Sequence, residues 1–543
     1  MTELCVIIPA VKKSVAFTDD LVKKLGGISL IQRAIDKAEA LVPGQHVYVV
    51  TDSQEIRVIA ERNSVRCFYR SDLRLEWHDI LRGLRLFLGH VAKQYRAVLI
   101  LHPYTPLISS EEVARAYHTF QSRGCDVLVS VKEERHRAFR GANASLQRIF
   151  LGDEKQRVFT EIRAFQFLRS RGLRDGSALG KLKLHPHFVG HDTVEIESYQ
   201  DWWVCEKLLG RRRIVFRVIG DQVVGMGHIY RALALAHDIT DHEIYFVCDE
   251  DSQVAASKLA GYNYPVEVFP RGRIEQCIIK MKPDLVVNDI LNTTKSYVQR
   301  LKEAHIRVVN FEDLGTGARH ADITFNEIYE EPLIRGANIK WGCRYYFLRD
   351  EFDDATPHRF AGKVRAVLLT FGGTDQNDFT RKTLSAIGGL CQEAGIKIYV
   401  VSGDGYVYRG ELERQLASFG WTHVEFTHAT GVMSSIMEKS QVAISSNGRT
   451  VYELAYMNIP AIIISHHARE KTHHFARSEN GFVNLGIYSP GRTEKRVRRE
   501  LERLVNDSNL RRTLFERVRK FSFRGNKQRV VKMILRTLGQ GTG

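Results

Sequence analysis

The chain has 543 residues, of which 44% are hydrophobic, and it carries a formal net charge of +16 at pH 7. This length predicts about three domain-sized units. Its apolar runs fall short of the roughly 20 residues that span a bilayer. The eight cysteines are scattered, which argues against a zinc site or a disulfide framework. We therefore expect a cytoplasmic protein whose opening segment, MTELCVIIPA, is a β-strand and not a signal peptide.

The first two hundred residues alternate between strand and helix patterns. Strands are predicted at 4–9, 46–51, 97–101 and 126–131. Helices are predicted at 30–41, 54–62, 77–95, 110–123 and 200–209. Regular alternation of this kind favours an α/β domain with a mostly parallel sheet covered by helices.

Alternation restarts after a basic linker at 210–213 and continues in two runs. The first run has predicted strands at 214–219, 243–248, 285–288 and 307–310. The second has predicted strands at 365–370, 397–402, 424–426, 442–445 and 461–465. A polar stretch at 349–363 separates them. Each run has the size of one Rossmann-like unit, so we predict a two-lobed protein with a cleft between the lobes.

The heptapeptide GMGHIYR, at 225–231, lies between a predicted strand and a predicted helix. Gly225 and Gly227 allow the backbone to approach a ligand closely, and the helix N–H groups favour an anion. His228 lies at the mouth of this turn, where it can take a proton from water or from an acceptor hydroxyl. A satisfied turn histidine is the simpler alternative.

Three further segments are predicted to face the same cleft. FGGTD at 371–375 is a second glycine turn after a strand, and SSNGRT at 445–450 places small and polar residues before a helix. Glu453, one turn into that helix, is a candidate acceptor for ribose hydroxyls. The third segment contains Asn288 and Asp289 at a strand end, with Glu312 and Asp313 after the next strand. Each residue alone has a structural alternative, such as a tight turn or a helix cap.

The segments GMGHIYR, NDI, NFEDLG, FGGTD and SSNGRTVYELA together resemble, in order and spacing, the UDP-sugar hydrolase of pseudaminic acid biosynthesis. The resemblance covers residues 214 to 490 and implies the GT-B glycosyltransferase fold. It implies that His228 activates water against the anomeric carbon, with Asp289 near the sugar. No cofactor is expected for this domain. The expected UDP-sugar-binding residues are Gly225, Gly227, Arg231, Gly372, Gly373, Thr374, Ser446, Asn447, Gly448, Arg449, Thr450 and Glu453.

The N-terminal segments VIIPA, LGGISLIQRAI, VVTDSQEI, LHPYTPLIS and VEIES resemble the cytidylyltransferases that make CMP-activated sialic acids. This resemblance implies a Rossmann-like nucleotidyltransferase domain of the GT-A type. The loop after the first strand departs from that family, because it has no glycines and contains Asp19 and Asp20, which repel a triphosphate. Glu195 and Glu197 replace the family's metal-binding Asp-x-Asp, so Mg²⁺ is expected only if this domain is active. We interpret the domain as degenerate, with a retained activity as the alternative.

Two charged segments follow the predicted site. Residues 466–474 contain four histidines and one glutamate, and we favour a substrate-contacting loop over a metal site. Residues 492–536 hold sixteen Lys/Arg against five Asp/Glu. They are either a solvated helix face or a surface for an anionic membrane, nucleic acid or acidic glycan. We favour the helix face, because no nucleic-acid motif is present. An apolar stripe would lie beneath it, at Leu501, Leu504, Leu514, Val518, Val530 and Ile534.

The sequence therefore predicts a nucleotide-sugar enzyme of nonulosonic acid or surface glycan biosynthesis that hydrolyses a UDP-activated amino sugar. The alternatives are a GT-B glycosyltransferase with a glycan or lipid acceptor, a bifunctional enzyme that also makes a CMP-nonulosonate, and a non-catalytic scaffold. The predicted divisions are 1–210, 211–358, 359–490 and a basic helical segment at 491–543. A homodimer, and peripheral contact with the inner face of the membrane, are further expectations; no specific nucleic-acid partner is expected.

Overall fold

The protein is described by a computed structural model that covers most of the chain. The described residues are 2–12, 19–73, 84–91, 93–133, 138–142, 145–149, 158–171, 183–190, 192–220, 225–429 and 431–539. The chain forms two compact units, Met1–Arg211 and Arg212–Gly543. Residues 13–18 of the expected phosphate loop and residues 77–83 of an expected helix lie outside the described part. Within that part, every helix is too short or too polar to cross a bilayer.

The N-terminal unit is built on a sheet of seven described strands. In spatial order they are Leu184–Phe188, Val127–Glu133, Phe159–Arg169, Tyr95–Leu101, Thr2–Pro9, Val47–Thr51 and Arg66–Tyr69. The pairs are parallel except at Phe159–Arg169, which runs antiparallel to both neighbours. Two short strand pairs lie outside this sheet, Lys24–Leu25 with Ile28–Ser29 and Ala138–Ala142 with Ser145–Ile149. The sequence predicted a mostly parallel sheet but missed the antiparallel strand.

The helices of this unit are Leu30–Glu39, Gln54–Arg62, Arg85–Val91, Ser110–Arg123 and Tyr199–Leu209. A serine precedes four of them and caps the first turn, because its hydroxyl accepts a backbone N–H that has no partner within the helix. These caps are Ser29, Ser53, Ser109 and Ser198. The prediction of a helix reaching residue 95 was wrong, since strand Tyr95–Leu101 begins there.

The C-terminal unit contains two sheets whose described strand pairs are all parallel. The first has the order Val266–Phe269, Glu243–Asp249, Arg213–Val218, Leu285–Asp289, Arg307–Phe311, Ile323–Asn326 and Ile339–Trp341. The second has the order Val424–His428, Lys397–Ser402, Ala366–Thr370, Val442–Ser446, Ala461–Ser465 and Phe482–Ile487. Central strands are buried on both faces, which explains the apolar residues with which each of them begins.

Helices cover both faces of these sheets. In the first lobe they are Gly227–Asp238, Gln253–Ala260, Ile274–Lys280 and Lys295–Glu303. In the second lobe they are Phe379–Glu393, Arg409–Phe419, Met433–Met437 and Thr450–Tyr456. Short 3-10 turns lie at Gly44–His46, Cys343–Tyr345, Asp350–Phe352, Glu470–Thr472 and Ser478–Asn480. The prediction of an α/β fold, with one α/β domain followed by two Rossmann-like units, is confirmed.

The basic C-terminal segment forms the helices Arg492–Asn506, Ser508–Val518 and Asn526–Gly539. All six residues of its predicted apolar stripe are buried. Leu501 packs in the core of the second lobe, whereas Ile534 packs in the core of the first. The segment therefore belongs to both lobes and stabilises each of them with its apolar face.

Candidate functional site

Each of the two lobes has one position in its sheet where the strand order reverses, and the polar turns lie beyond the strand ends at these positions. Strands Arg213–Val218 and Leu285–Asp289 are neighbours that are not consecutive in sequence, so the strand order reverses between them. Ala366–Thr370 and Val442–Ser446 form the same reversal in the second sheet. Ligands of open α/β sheets bind beyond the carboxyl ends of the strands at such reversals.

A cavity of about 450 Å³ lies between the lobes, beyond these strand ends. Nearly all predicted site residues line it: Gly225, Gly227, His228, Arg231, Gly372, Gly373, Thr374, Ser446, Gly448, Arg449, Thr450 and Glu453. Gly225 and Gly372 have φ of +83° and +81°, which side chains rarely adopt. The two glycine turns therefore require glycine at these positions.

Asn447 and Asp289 do not line the cavity. The Asn447 amide donates to the carbonyl oxygens of Glu470 (2.7 Å) and His473 (3.1 Å). The amide thus holds the 470–473 segment in place, and the expected UDP-sugar contact at Asn447 stays a prediction for its backbone. Asp289 lies behind His228, with only 1% of its side chain exposed.

His228 and Asp289 form a hydrogen-bonded pair, with 2.5 Å between Nδ1 and Oδ1. An ionised carboxylate only accepts, so Nδ1 carries the proton and Nε2 of the neutral ring is left as an acceptor. A carboxylate in this position fixes the tautomer and stabilises the imidazolium that forms when the ring takes a proton. The His228 side chain lines the cavity while its Nδ1 faces the protein interior.

The Arg231 guanidinium is fully buried among three carboxylates. It donates to both oxygens of Asp289, to Glu312 and to Glu327. Burial opposes its charge, but the three carboxylates outweigh burial and raise the Arg231 pKa well above its usual value. In turn, burial opposes ionisation of Asp289, yet Arg231 and His228 keep the Asp289 pKa below its usual value. We expected Arg231 to bind the UDP-sugar; its donors are instead used to hold Asp289.

Arg449 reaches this cluster from the opposite lobe. Its Nη1 lies 2.6 Å from Glu327 Oε1 and 3.4 Å from Glu312 Oε1. The guanidinium lies over the Tyr346 ring, 4.7 Å from its centre. The sequence did not identify Glu327 as a site residue, because it directly follows the buried strand Ile323–Asn326 and no local pattern indicates a charged partner.

Glu453, the expected ribose acceptor, is already paired. Its Oε1 accepts from Arg349 Nε at 3.0 Å, and Arg349 also contacts Glu351 at 2.7 Å. Burial opposes the charge of Arg349, but the carboxylates of Glu453 and Glu351 raise its pKa. In the sequence, Arg349 was identified only as the first residue of the polar stretch at 349–363 and not as a site residue. Glu453 remains at the cavity wall, where Arg349 fixes its orientation.

The 466–474 segment forms another part of the cavity wall, through His466, His467, Arg469, Glu470 and His473. Burial lowers the pKa of His466 to about 4 and raises that of Glu470 to about 7. His466 stacks on Phe379, with ring centres 4.4 Å apart. Among the described residues, no group of three or more His, Cys, Asp or Glu side chains is arranged to hold a metal ion.

In the N-terminal unit, Glu195 and Glu197 are both paired with Arg163. The guanidinium thus occupies the position between the two carboxylates that a divalent cation would need. Burial raises the pKa of Glu195, and Arg163 opposes that shift. The predicted Mg²⁺ ligands do not fit a metal while Arg163 is bound to them.

Comparison with known proteins relates the two units to different groups. Residues 19–193 match the model of the MobA-like NTP transferase domain. The chain is 24% identical to the Methanocaldococcus jannaschii protein MJ1062 over 262 residues, 45% of this chain and 54% of that protein. It is also 24% identical to the spore coat polysaccharide biosynthesis protein SpsG of Bacillus subtilis over 254 residues, 44% of this chain and 74% of SpsG.

Among solved structures, Acinetobacter baumannii MurG is similar, with a TM-score of 0.44 and 14% identity. That similarity covers 60% of this chain and 99% of MurG. The match to the protein MJ1062 spans only about half of that relative's length.

Proposed function

We propose that the unit Arg212–Gly543 binds a UDP-activated amino sugar and cleaves its anomeric C–O bond with water. One observation carries this proposal: a histidine oriented by a buried carboxylate lines the same cavity as two glycine turns. The similarity to SpsG, a protein named for spore coat polysaccharide biosynthesis, supports a role in surface glycan synthesis. Nonulosonic acid biosynthesis is the proposed setting.

The diphosphate is assigned to backbone N–H groups of the two turns that line the cavity, 372–374 and 446–450. Helix Thr450–Tyr456 has only seven residues, so its dipole adds little, and the N–H groups themselves are the proposed donors. The twelve-residue helix Gly227–Asp238 points its N-terminal N–H groups toward the same cavity. Glu453 is proposed to accept from a ribose hydroxyl through the oxygen that Arg349 leaves available.

In the proposed reaction, Nε2 of His228 takes a proton from water as its oxygen attacks the anomeric carbon. The bond between that carbon and the diphosphate oxygen breaks, and UDP leaves with the electron pair. Asp289 stabilises the imidazolium, and Arg231 keeps Asp289 ionised during the step. The N–H groups at the diphosphate stabilise the charge that develops on UDP.

A glycosyltransferase is the second candidate, since the same base can activate a sugar hydroxyl. The exposed basic residues of the C-terminal helices favour an acidic or membrane-linked acceptor.

A bifunctional enzyme is the third candidate, and pyrophosphate release from CTP with a nonulosonic acid would support it. A scaffold without catalysis is disfavoured, because it needs no histidine held in one tautomer at the cavity wall. The proposed domain divisions are 1–210, 211–358, 359–490 and 491–543.

The test measures UDP release from a UDP-linked diacetamido-trideoxyhexose in water, without acceptor. Wild type is compared with His228→Ala and with His118→Ala, an exposed histidine of the N-terminal unit. Rapid release that is lost only in His228→Ala is expected. Absence of release from wild type would contradict the hydrolase, and the same assay with added glycan acceptors then tests the transferase.

A further inference from the structure

Arg449 connects the two lobes between the proposed diphosphate site and the proposed catalytic residue His228. Its backbone belongs to the 446–450 turn of the second lobe, whereas its side chain contacts Glu327, Glu312 and Tyr346 of the first lobe. The Tyr346 hydroxyl donates to the Arg449 carbonyl at 3.1 Å. The turn assigned to the diphosphate is thus fixed to the opposite lobe by its own backbone and side chain.

Glu327 and Glu312 also accept from Arg231, and Arg231 holds Asp289. A continuous series of ion pairs therefore runs from Arg449 through Glu327 and Arg231 to Asp289, which is hydrogen-bonded to His228. Glu327 is completely buried, so it depends on its two arginine partners for compensation of its charge. A displacement of Arg449 must change the charge and geometry that Arg231 experiences.

The side chains of this cluster carry charges of both signs. Asp289, Glu312 and Glu327 contribute three negative charges, and Arg231 and Arg449 contribute two positive ones. Asp289 contacts His228 from the neighbouring strand end and Arg231 contacts it from its own helix, whereas Arg449 reaches the cluster from the opposite turn.

We propose that Arg449 is a positioning residue that couples the docking of the diphosphate turn to the orientation of His228. We assign it this role and not that of a diphosphate ligand, because its Nη1 is paired with the carboxylates of the other lobe. The cluster is complete only when the 446–450 turn lies against the first lobe. This inference rests on the proposed function, since it assigns a role to Arg449 within the same site.

The test compares Arg449→Ala, Arg449→Lys and Glu327→Gln with Arg409→Ala, which removes an exposed arginine paired with Glu413. Steady-state UDP release gives kcat and KM, and calorimetry gives the Kd of UDP. We expect Arg449→Ala and Glu327→Gln to lower kcat at least about tenfold while the Kd of UDP changes less than about threefold. Arg449→Lys retains the charge and is expected to recover part of kcat.

The pH–rate profile separates a positioning role from loss of folding. Arg449→Ala removes a positive charge near His228, so the acid limb of the profile should move to higher pH. Glu327→Gln removes a negative charge, so the limb should move to lower pH. The double variant should be less impaired than the product of the two single effects, because both changes interrupt one series of contacts. Melting temperatures identify variants that fail to fold. If Arg449→Ala is one of them, Arg449→Lys is compared with wild type in its place.

Two results would overturn the inference. One is a large rise in the Kd of UDP in Arg449→Ala with kcat unchanged, which makes Arg449 a diphosphate ligand. The other is an Arg449→Ala profile identical to wild type. If wild type releases no UDP, the proposed function fails separately. The pH titration of the His228 ring signals by NMR then decides the inference, with the same opposite shifts expected in the two variants.

Discussion

Asp289 accepts a hydrogen bond from Nδ1 of His228 across 2.5 Å, and both of its oxygens accept from one edge of the Arg231 guanidinium, Nε and Nη2. The two residues are 61 positions apart in sequence. They meet because Asp289 ends a strand that pairs with Arg213–Val218, and His228 lies in the first turn of the helix that follows Arg213–Val218. A carboxylate fixed on one side of an imidazole directs the opposite nitrogen outward, here toward the cavity. This pairing, more than the glycine turns, leaves Nε2 of His228 available as an acceptor in the cavity.

Asp289→Asn is expected to lower kcat for UDP release by about 10²–10⁴-fold, because an amide can donate to Nδ1 and favour the wrong tautomer. KM should change little, since Asp289 does not reach the cavity wall. Stopped assays of UDP release measure both constants. Asp354→Asn, an exposed position in the polar stretch, is the control and should behave as wild type. A wild-type rate in Asp289→Asn would remove the proposed role of the pair.

Glu470 should make donor binding weaken as pH rises through about 7. Burial raises its pKa to about 7, and it lines the cavity beside the turn assigned to the diphosphate. Once ionised it repels the diphosphate, so the Kd of a UDP-sugar should rise several-fold between pH 6 and about pH 8. Calorimetry with the His228→Ala variant avoids turnover. The neighbouring His466, whose pKa is lowered to about 4, stays neutral in this range.

Glu470→Gln is the matched variant, and its Kd should be independent of pH over the same range. Stability gives a second readout. The folded state binds the Glu470 proton more tightly than the unfolded state, so the free energy of unfolding falls as pH rises from about 4.5 to about 7. Glu470→Gln should lose this part of the pH dependence. An equal pH dependence of the Kd in both proteins would contradict the prediction.

The N-terminal unit should bind no divalent cation at Glu195 and Glu197, because Arg163 neutralises both carboxylates. Titration of the full chain with Mn²⁺, followed by EPR, should show no tight site that depends on Glu195. Arg163→Gln frees the two carboxylates and should create a weak Mn²⁺ site, which Glu195→Gln then removes. A tight wild-type site lost in Glu195→Gln would refute the prediction and support a retained cytidylyltransferase activity.

The C-terminal helices should tolerate changes of charge but not changes of packing. Leu501 is fully buried in the core of the second lobe, so Leu501→Ala should lower the free energy of unfolding by about 2–5 kcal/mol. The charge reversals Lys495→Glu, Arg498→Glu and Lys532→Glu affect exposed side chains and should each change it by less than about 0.5 kcal/mol. Denaturant titrations measure these differences.

The same charge reversals test the proposed membrane contact. Flotation with vesicles that contain anionic lipid should decrease in the reversed variants if the exposed basic face binds the surface. Equal flotation of the wild type and the triple reversal would refute that contact. Leu501→Ala serves as the control for effects of stability.

Local sequence patterns determined the strands, the helices that cover them and the two glycine turns. The buried parallel strand Ala366–Thr370 is an almost continuous apolar segment, and the turn after it requires glycine at Gly372, whose φ is +81°. For the same reason His228 was identified from its heptapeptide alone. The antiparallel strand Phe159–Arg169 was missed, since its direction depends on its neighbours in the sheet.

Only the tertiary structure decided which charged groups are partners. Arg449 and Glu327 are 122 residues apart, and Arg349 and Glu453 are 104 residues apart, so no local pattern links them. Arg231 and Arg449 have the residue type expected of anion ligands, yet the folded chain commits both to carboxylates. An arginine binds the acceptors that the fold brings within about 3 Å, and this distance is set by how the two lobes meet.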